Sequence, residues 1–244
     1  MLSSVSNCSA QSKYRSHYIS LSDITLVADM TGALYWPSKS MLIIADMHLE
    51  KGSSFAVRGQ LLPPYDTRDT LLRLAQVINF YQAQTIVALG DSFHDKKAFD
   101  RIGREDLEIL RQIQIGRNWI WIRGNHDPQI CSAAGGECLK ELLIQGLTLR
   151  HEPNPVQGKH EIAGHMHPVA KLKLYGHSLR LSCFVLNQTR LVMPAFGSYT
   201  GGLNVLDPAF IPLFGNDELV VWVQGEQGLY PIAKRMLRKD YAAC

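Results

Sequence analysis

Five short clusters gather residues whose types and spacing could bind a transition metal: Asp46-x-His48, Gly90-Asp91 with His94, Gly124-Asn125-His126-Asp127, His151, and Gly164-His165-x-His167. Carboxylates, imidazoles and one side-chain amide, with no cysteine among them, make a borderline-hard ligand set suited to manganese, iron or zinc. An isolated Asp-x-His or His-x-His is ordinary in a surface loop. Here six of the nine histidines (His48, His94, His126, His151, His165 and His167) sit in the clusters, leaving His17, His160 and His177 outside. Glycines and prolines in these segments permit tight turns and close backbone approach. Together they argue for one shared metal centre.

The elements that must position these residues are read from apolar periodicity. Ile24 to Ala28 and Ala33 to Trp36 form an opening hairpin around Thr31-Gly32. Met41 to Ala45, Thr85 to Leu89 and Trp119 to Ile122 are apolar runs of strand length, and each ends at a cluster. Leu71, Leu74, Ala75 and Ile78 have helical spacing within 67–81, and 105–115 reads as the returning helix. Repeated strand, loop and helix units predict an α/β layered core with a mainly parallel segment, whose ligand crevice lies beyond the carboxyl ends of the strands. After Pro128 short strands dominate (147–150, 160–163, 170–175, 179–186, 190–193 and 219–223), predicting a second, mostly antiparallel sheet facing the first.

At 244 residues and 46% hydrophobic, the chain can bury one large core. The expected organisation is a loosely held extension over 1–22, a single domain over 23–232, and a basic tail over 233–244 carrying Lys234, Arg235, Arg238 and Lys239. A net charge of +3 permits a nucleic-acid or phosphate partner without demanding one. Cys8, Cys131, Cys138, Cys183 and Cys244 are scattered and lack CxxC spacing, so neither a disulfide framework nor a zinc ribbon is expected. With no secretory h-region and no bilayer-length apolar run, a reduced, cytoplasmic setting with no membrane is expected.

The order Asp-x-His, Gly-Asp, Gly-Asn-His-Asp, His, Gly-His-x-His resembles the calcineurin-like metallophosphoesterase superfamily between Met41 and roughly Met193. The segments 49–55, 59–67 and 194–204 resemble one bacterial branch, the ligase-associated DNA-damage-response phosphodiesterases and endonucleases, which are encoded beside a helicase, a nuclease and a DNA ligase. That resemblance implies a four-layer αββα sandwich with two facing mixed β-sheets. It implies that Asp46, His48 and His167 hold one metal, that Asn125, His151 and His165 hold a second, and that Asp91 bridges them. His126 would stand beside the phosphate, its ring oriented by a carboxylate, Asp127 or Asp95. Where the superfamily often has Asp or Asn three positions after the bridging Asp, this chain has His94, as either a substrate contact or a packed loop residue.

Two divalent ions about 3.5–4 Å apart can share a hydroxide, lower its pKa toward neutrality and clamp phosphate oxygens. Neutral imidazoles add no charge, so such a centre keeps a positive field for an anion. In-line attack by that hydroxide on phosphorus expels an alkoxide, and His126 is the candidate general acid. The ligands do not separate monoester from diester. Basic residues near the first loops, among them Lys51, Arg58, Arg68, Lys96, Lys97, Arg101 and Arg123, would bind further phosphates. Phe55, Tyr65, Phe93 and Tyr199 could stack bases or belong to the core. His94, Arg58, Lys51 and Tyr199 are the candidate substrate contacts. The favoured reading is a Mn-dependent single-stranded DNA endonuclease in DNA repair, with Fe or Zn as other metals and functional association with a DNA ligase and helicase implied by the branch. The alternative is a phosphatase or cyclic-nucleotide phosphodiesterase acting on a small molecule, and a metal-stabilised docking subunit is a third. Pro194 to Asn204 reads equally as a phosphate-contacting loop or a structural turn.

Overall fold

The structure, a computed structural model, describes residues 15–60, 62–126, 134–156, 160–174, 176–215 and 219–240. The first sheet begins as an antiparallel ladder of β1 (Ser16–Leu21), β2 (Ile24–Asp29), β3 (Leu34–Trp36) and β4 (Met41–Ile44). It continues in parallel through β5 (Thr85–Leu89), β6 (Asn118–Ile122) and β7 (Glu137–Leu139), so the seven strands lie side by side in chain order. Parallel neighbours require long crossovers. These contain α1 (Lys51–Val57) and α2 (Asp66–Tyr81), then α3 (Ala98–Arg101) and α4 (Arg104–Gln114).

All four residues of β4 are buried because both faces of this strand are covered. Alternation decides what covers them. Leu42 and Ile44 pack with Leu71, Leu74 and Ile78 of α2, whereas Met41 and Ile43 face the second sheet with Leu149, Ile162 and Phe184.

That second sheet contains β8 (Glu141–Ile144), β9 (Leu147–Arg150), β10 (Glu161–Ala163), β11 (Pro168–Leu174), β12 (His177–Leu186), β13 (Arg190–Val192) and β14 (Leu203–Asn204). Its order is β14-β11-β12-β13-β10-β9-β8, with β15 (Val220–Gly225) paired to β12 and β16 (Gly228–Ile232) to β15. The sheet is mixed, since β10 runs parallel to both β9 and β13, and β11 to β14. Phe210 and the short α5 (Ile211–Phe214) cover its outer face through Leu213 and Phe214. The architecture is thus two mixed sheets with flanking helices.

Three expectations are corrected. Residues 16–21, assigned to a loose extension, form β1, because Ile19 and Leu21 alternate into the core between the sheets. The basic tail is docked through residue 240: Leu237 is buried against the second sheet, and the Arg238 amide donates to the Lys171 carbonyl across 2.8 Å. Cys138 is disulfide-bonded, which corrects the expectation of uniformly reduced thiols. Sequence spacing does not tell which thiols a fold brings within bonding distance. Among the described residues no helix is long and apolar enough to cross a membrane.

Candidate metal centre

The loops after β4, β5, β6, β9 and β10 converge at one edge. There Asp46, His48 and His167 form one group, and Asp91, His151 and His165 a second, each with its ligand atoms within 4.8 Å of one another. The groups adjoin through His151, whose Nε2 is 3.4 Å from Asp91 Oδ2 and whose Nδ1 is 3.7 Å from Asp46 Oδ1. Left-handed backbone at Asp46, His48, Asp91, His165 and His167 re-aims these side chains into the crevice. For non-glycine residues such conformations cost of order 1–3 kcal/mol each and cluster where function over-determines them. Gly90 and Gly164 allow the close approach: a Cβ on Gly90 would lie 2.5 Å from the His151 ring, and one on Gly164 2.5 Å from Asp46 Oδ2.

The donor atoms are arranged as a metal would require. His48 Nε2 faces His167 Nε2 at 3.3 Å, and His165 Nδ1 faces His151 Nε2 at 3.2 Å. The outer nitrogens are anchored: His167 Nδ1 donates to the Gly201 carbonyl at 3.1 Å and His151 Nδ1 to the Leu89 carbonyl at 2.9 Å. A carbonyl only accepts, so these bonds place a proton on each Nδ1 and aim each Nε2 inward, where a bound metal would displace any proton from it. Each carboxylate likewise has one oxygen committed. Asp46 Oδ2 accepts from the His165 amide and Asp91 Oδ1 from the His126 amide, both at 2.9 Å. Asp46 Oδ1 is buried without a hydrogen bond of good geometry, 3.3 Å from His167 Nε2. A buried carboxylate oxygen left this way fits a cation.

Electrostatics follow from this packing. Burial would raise the Asp91 pKa, but the hydrogen bond and charge of His151 and the His126 amide override it and hold the carboxyl well below its usual range. Burial opposes charge on His151, yet Asp91 and Asp46 push its pKa up to about 9. Burial, then His167, pushes His48 down to about 3, and burial lowers His165 as well.

His126 stands at the mouth, half exposed, with Nε2 3.9 Å from Asp91 Oδ2. Its Nδ1 donates to the main-chain carbonyl of His94 at 2.8 Å. A carbonyl therefore holds the ring where a carboxylate was expected. Asp95 pairs with Arg101 at 2.7 Å instead, and Asp127 lies outside the described residues. The His94 ring stacks on that of His126 with centroids 5.8 Å apart, and meets His48 edge-on. Asn125 brings its side-chain amide within 3.4 Å of His165 Nδ1, and turning the amide over presents its oxygen there. Lys51 donates to the Tyr199 carbonyl at 2.9 Å, Tyr199 donates to the Pro63 carbonyl, and exposed Arg58 acts on His94 electrostatically. Phe93 is a core residue, packed on Phe99 and Trp121.

Two elements support the site: the 194–204 segment, for which the sequence left a phosphate-contacting loop and a structural turn equally open, and an ion pair that the sequence did not single out. The 194–204 segment runs along the end of β4, where the Phe196 and Gly197 amides donate to the carbonyls of Ala45 and Asp46, and it supplies the carbonyl that orients His167. Buried Arg190 pairs with Glu161 at 2.5 Å, and Glu161 accepts from the Asn154 amide, which tethers the loop that carries His151. A glycine-rich stretch after a strand was the signal for the first. The second had none.

A model of the calcineurin-like phosphoesterase family matches residues 40–184, more than half of the chain, and the chain belongs to that family. With this fold and two Asp/His metal-binding sites it is a metal-dependent phosphoesterase. Among solved structures, it resembles the nuclease MPE of Pseudomonas putida with 28% identity and a TM-score of 0.71, over 89% of this chain and 100% of that one. Fainter likenesses are to Yfce, a phosphoesterase from E. coli (15% identity, TM-score 0.41, 79% of this chain and 98% of that one), and AQ665 from Aquifex aeolicus, a protein of unknown function (21%, 0.37, 52% and 78%). No curated protein matches.

Proposed function

We propose that this phosphoesterase is a manganese-dependent phosphodiesterase that cuts single-stranded DNA endonucleolytically in DNA repair, in functional association with a DNA ligase and helicase. The observation that carries the proposal is the pair of adjoining Asp/His groups at one edge of the sheets, seen together with likeness to a nuclease over nearly the whole chain. Asp46, His48 and His167 would hold one ion and Asn125, His151 and His165 the other, with Asp91 between them. Bound ions would supply Lewis acidity toward phosphate oxygens and a nucleophile active at neutral pH.

The chain's own residues do the rest. Main-chain amides of His126 and His165 hold the two carboxylates, and the carbonyls of Leu89 and Gly201 hold two imidazoles, so little reorganisation is needed when charge develops. His126, with its Nδ1–H committed to the His94 carbonyl, would act from its imidazolium form, giving the Nε2 proton to the leaving oxygen and returning to the neutral ring.

The test is cleavage of circular single-stranded DNA by chelator-stripped enzyme with Mn²⁺ added back, alongside Asp91→Ala. Linear product that needs metal and vanishes in the variant supports the proposal. Uncut circles, with a simple phosphodiester still hydrolysed, would move the substrate to small molecules.

A further inference from the structure

Beyond the crevice, the β11–β12 hairpin carries a second basic feature. Ala170 and Leu172 of β11 turn into the outer core, so Lys171 and Lys173 point from the opposite face. There the antiparallel register sets Arg180 beside Lys171 and Ser178 beside Lys173. The docked C-terminal segment adds Arg238 and Lys239, closing a cleft of about 330 Å³ lined by Lys171, Lys173, Ser178, Arg238 and Lys239. Asp240 bridges Lys171 and Arg180 at 3.3 and 2.9 Å. Among the described residues Lys173, Arg238 and Lys239 have no carboxylate partner, and all three are exposed.

The strand pair that carries the cleft is tied to the metal centre through the 201–202 segment. His167 Nδ1 donates to the Gly201 carbonyl, and Arg180 donates to the next carbonyl, Gly202, at 2.6 Å. Lys173 stands six residues past His167 on a strand that rises roughly 3.3 Å per residue, about 20 Å away.

We propose that this cleft is a distal subsite for the sugar-phosphate backbone of a single-stranded polynucleotide whose scissile phosphate occupies the metal centre. The inference rests on the polynucleotide reading above and deepens it. Only a substrate with repeated phosphodiesters fills both places at once, and a small phosphodiester held at the metals never reaches Lys173. The subsite thus selects for polymer length without touching the chemistry.

The test is binding of fluorescently labelled oligothymidylate to the full chain with chelator present, followed by anisotropy across a salt series. A Lys173→Ala, Arg238→Ala, Lys239→Ala triple variant is compared with one that loses three exposed charges elsewhere, Arg104→Ala, Arg111→Ala, Lys140→Ala. For a 20-mer, the cleft variant should lose at least tenfold in affinity, and its salt slope should fall by about 2, at roughly 0.7 per phosphate contact on single strands. The distal-charge variant, and either protein with a dinucleotide, should change little. Equal behaviour of the two variants on the 20-mer, or no 20-mer binding by the unaltered chain, overturns the subsite. Cleft-dependent binding without cleavage of circular DNA keeps the cleft as a polynucleotide-binding site but defeats the nuclease reading, and with it the scissile phosphate at the metal centre. Cleavage indifferent to the cleft variant does the reverse.

Discussion

The ring of His126 hangs from the main-chain carbonyl of His94, which accepts from Nδ1 across 2.8 Å and so turns Nε2 toward the Asp91 side of the crevice. A general acid of this kind contributes about 10²–10⁴-fold to rate. His126→Ala should reduce kcat by that order with metal content unchanged in elemental analysis. Loss of metal from the variant would instead make His126 a ligand.

The loop that supplies this carbonyl is pinned by Asp95. Burial would raise its pKa, but the Arg101 guanidinium, Ser54 and the Lys97 amide override it and hold the carboxyl at about 2. The folded value lies below the unfolded one of about 3.9, so the contribution is fully present above that pH and is lost as pH falls through about 2. Asp95→Asn should therefore lower Tm at pH 7 and converge with the unaltered protein near pH 2. A constant difference in Tm across this range would contradict the assignment.

Glu161 and Arg190 are a buried ion pair beneath the His151 loop. Removing one partner from such a pair costs roughly 3–5 kcal/mol, and the low end applies here because Arg150 also lies 3.7 Å from Glu161. Arg190→Ala should lower the unfolding free energy by that order in a urea titration. It should also weaken metal binding at the His151 group more than at the Asp46 group.

Gly164 has no room for a side chain, since a Cβ there would meet Asp46 Oδ2 at 2.5 Å. Gly164→Ala should displace that carboxylate and reduce metal affinity roughly 10–100-fold, the scale of losing a ligand-orienting contact. Competition with a fluorescent chelator reads this directly, and unchanged affinity would show that Asp46 does not depend on the close approach.

Strands β4, β5 and β6 and helix α2 were legible because apolar period alone specifies them. Strand β1 and the C-terminal segment were not, since each offers only one or two apolar anchors, Ile19 and Leu21 or Leu237, whose value appears when a partner surface exists. The histidine and aspartate clusters stood out by residue type, and the fold brings Asp46, His48, Asp91, His151, His165 and His167 to one edge. Contributions made by main-chain atoms were hidden. The carbonyls of His94 and Gly201 orient two imidazoles, and any residue type could have supplied them.

Counting bound metal tests the central claim most directly. Chelator-stripped protein titrated with Mn²⁺ should take up two ions per chain, falling to one when His165 and His151 are replaced by Ala together. Uptake of one ion or none by the unaltered protein would contradict a two-metal centre built from these residues.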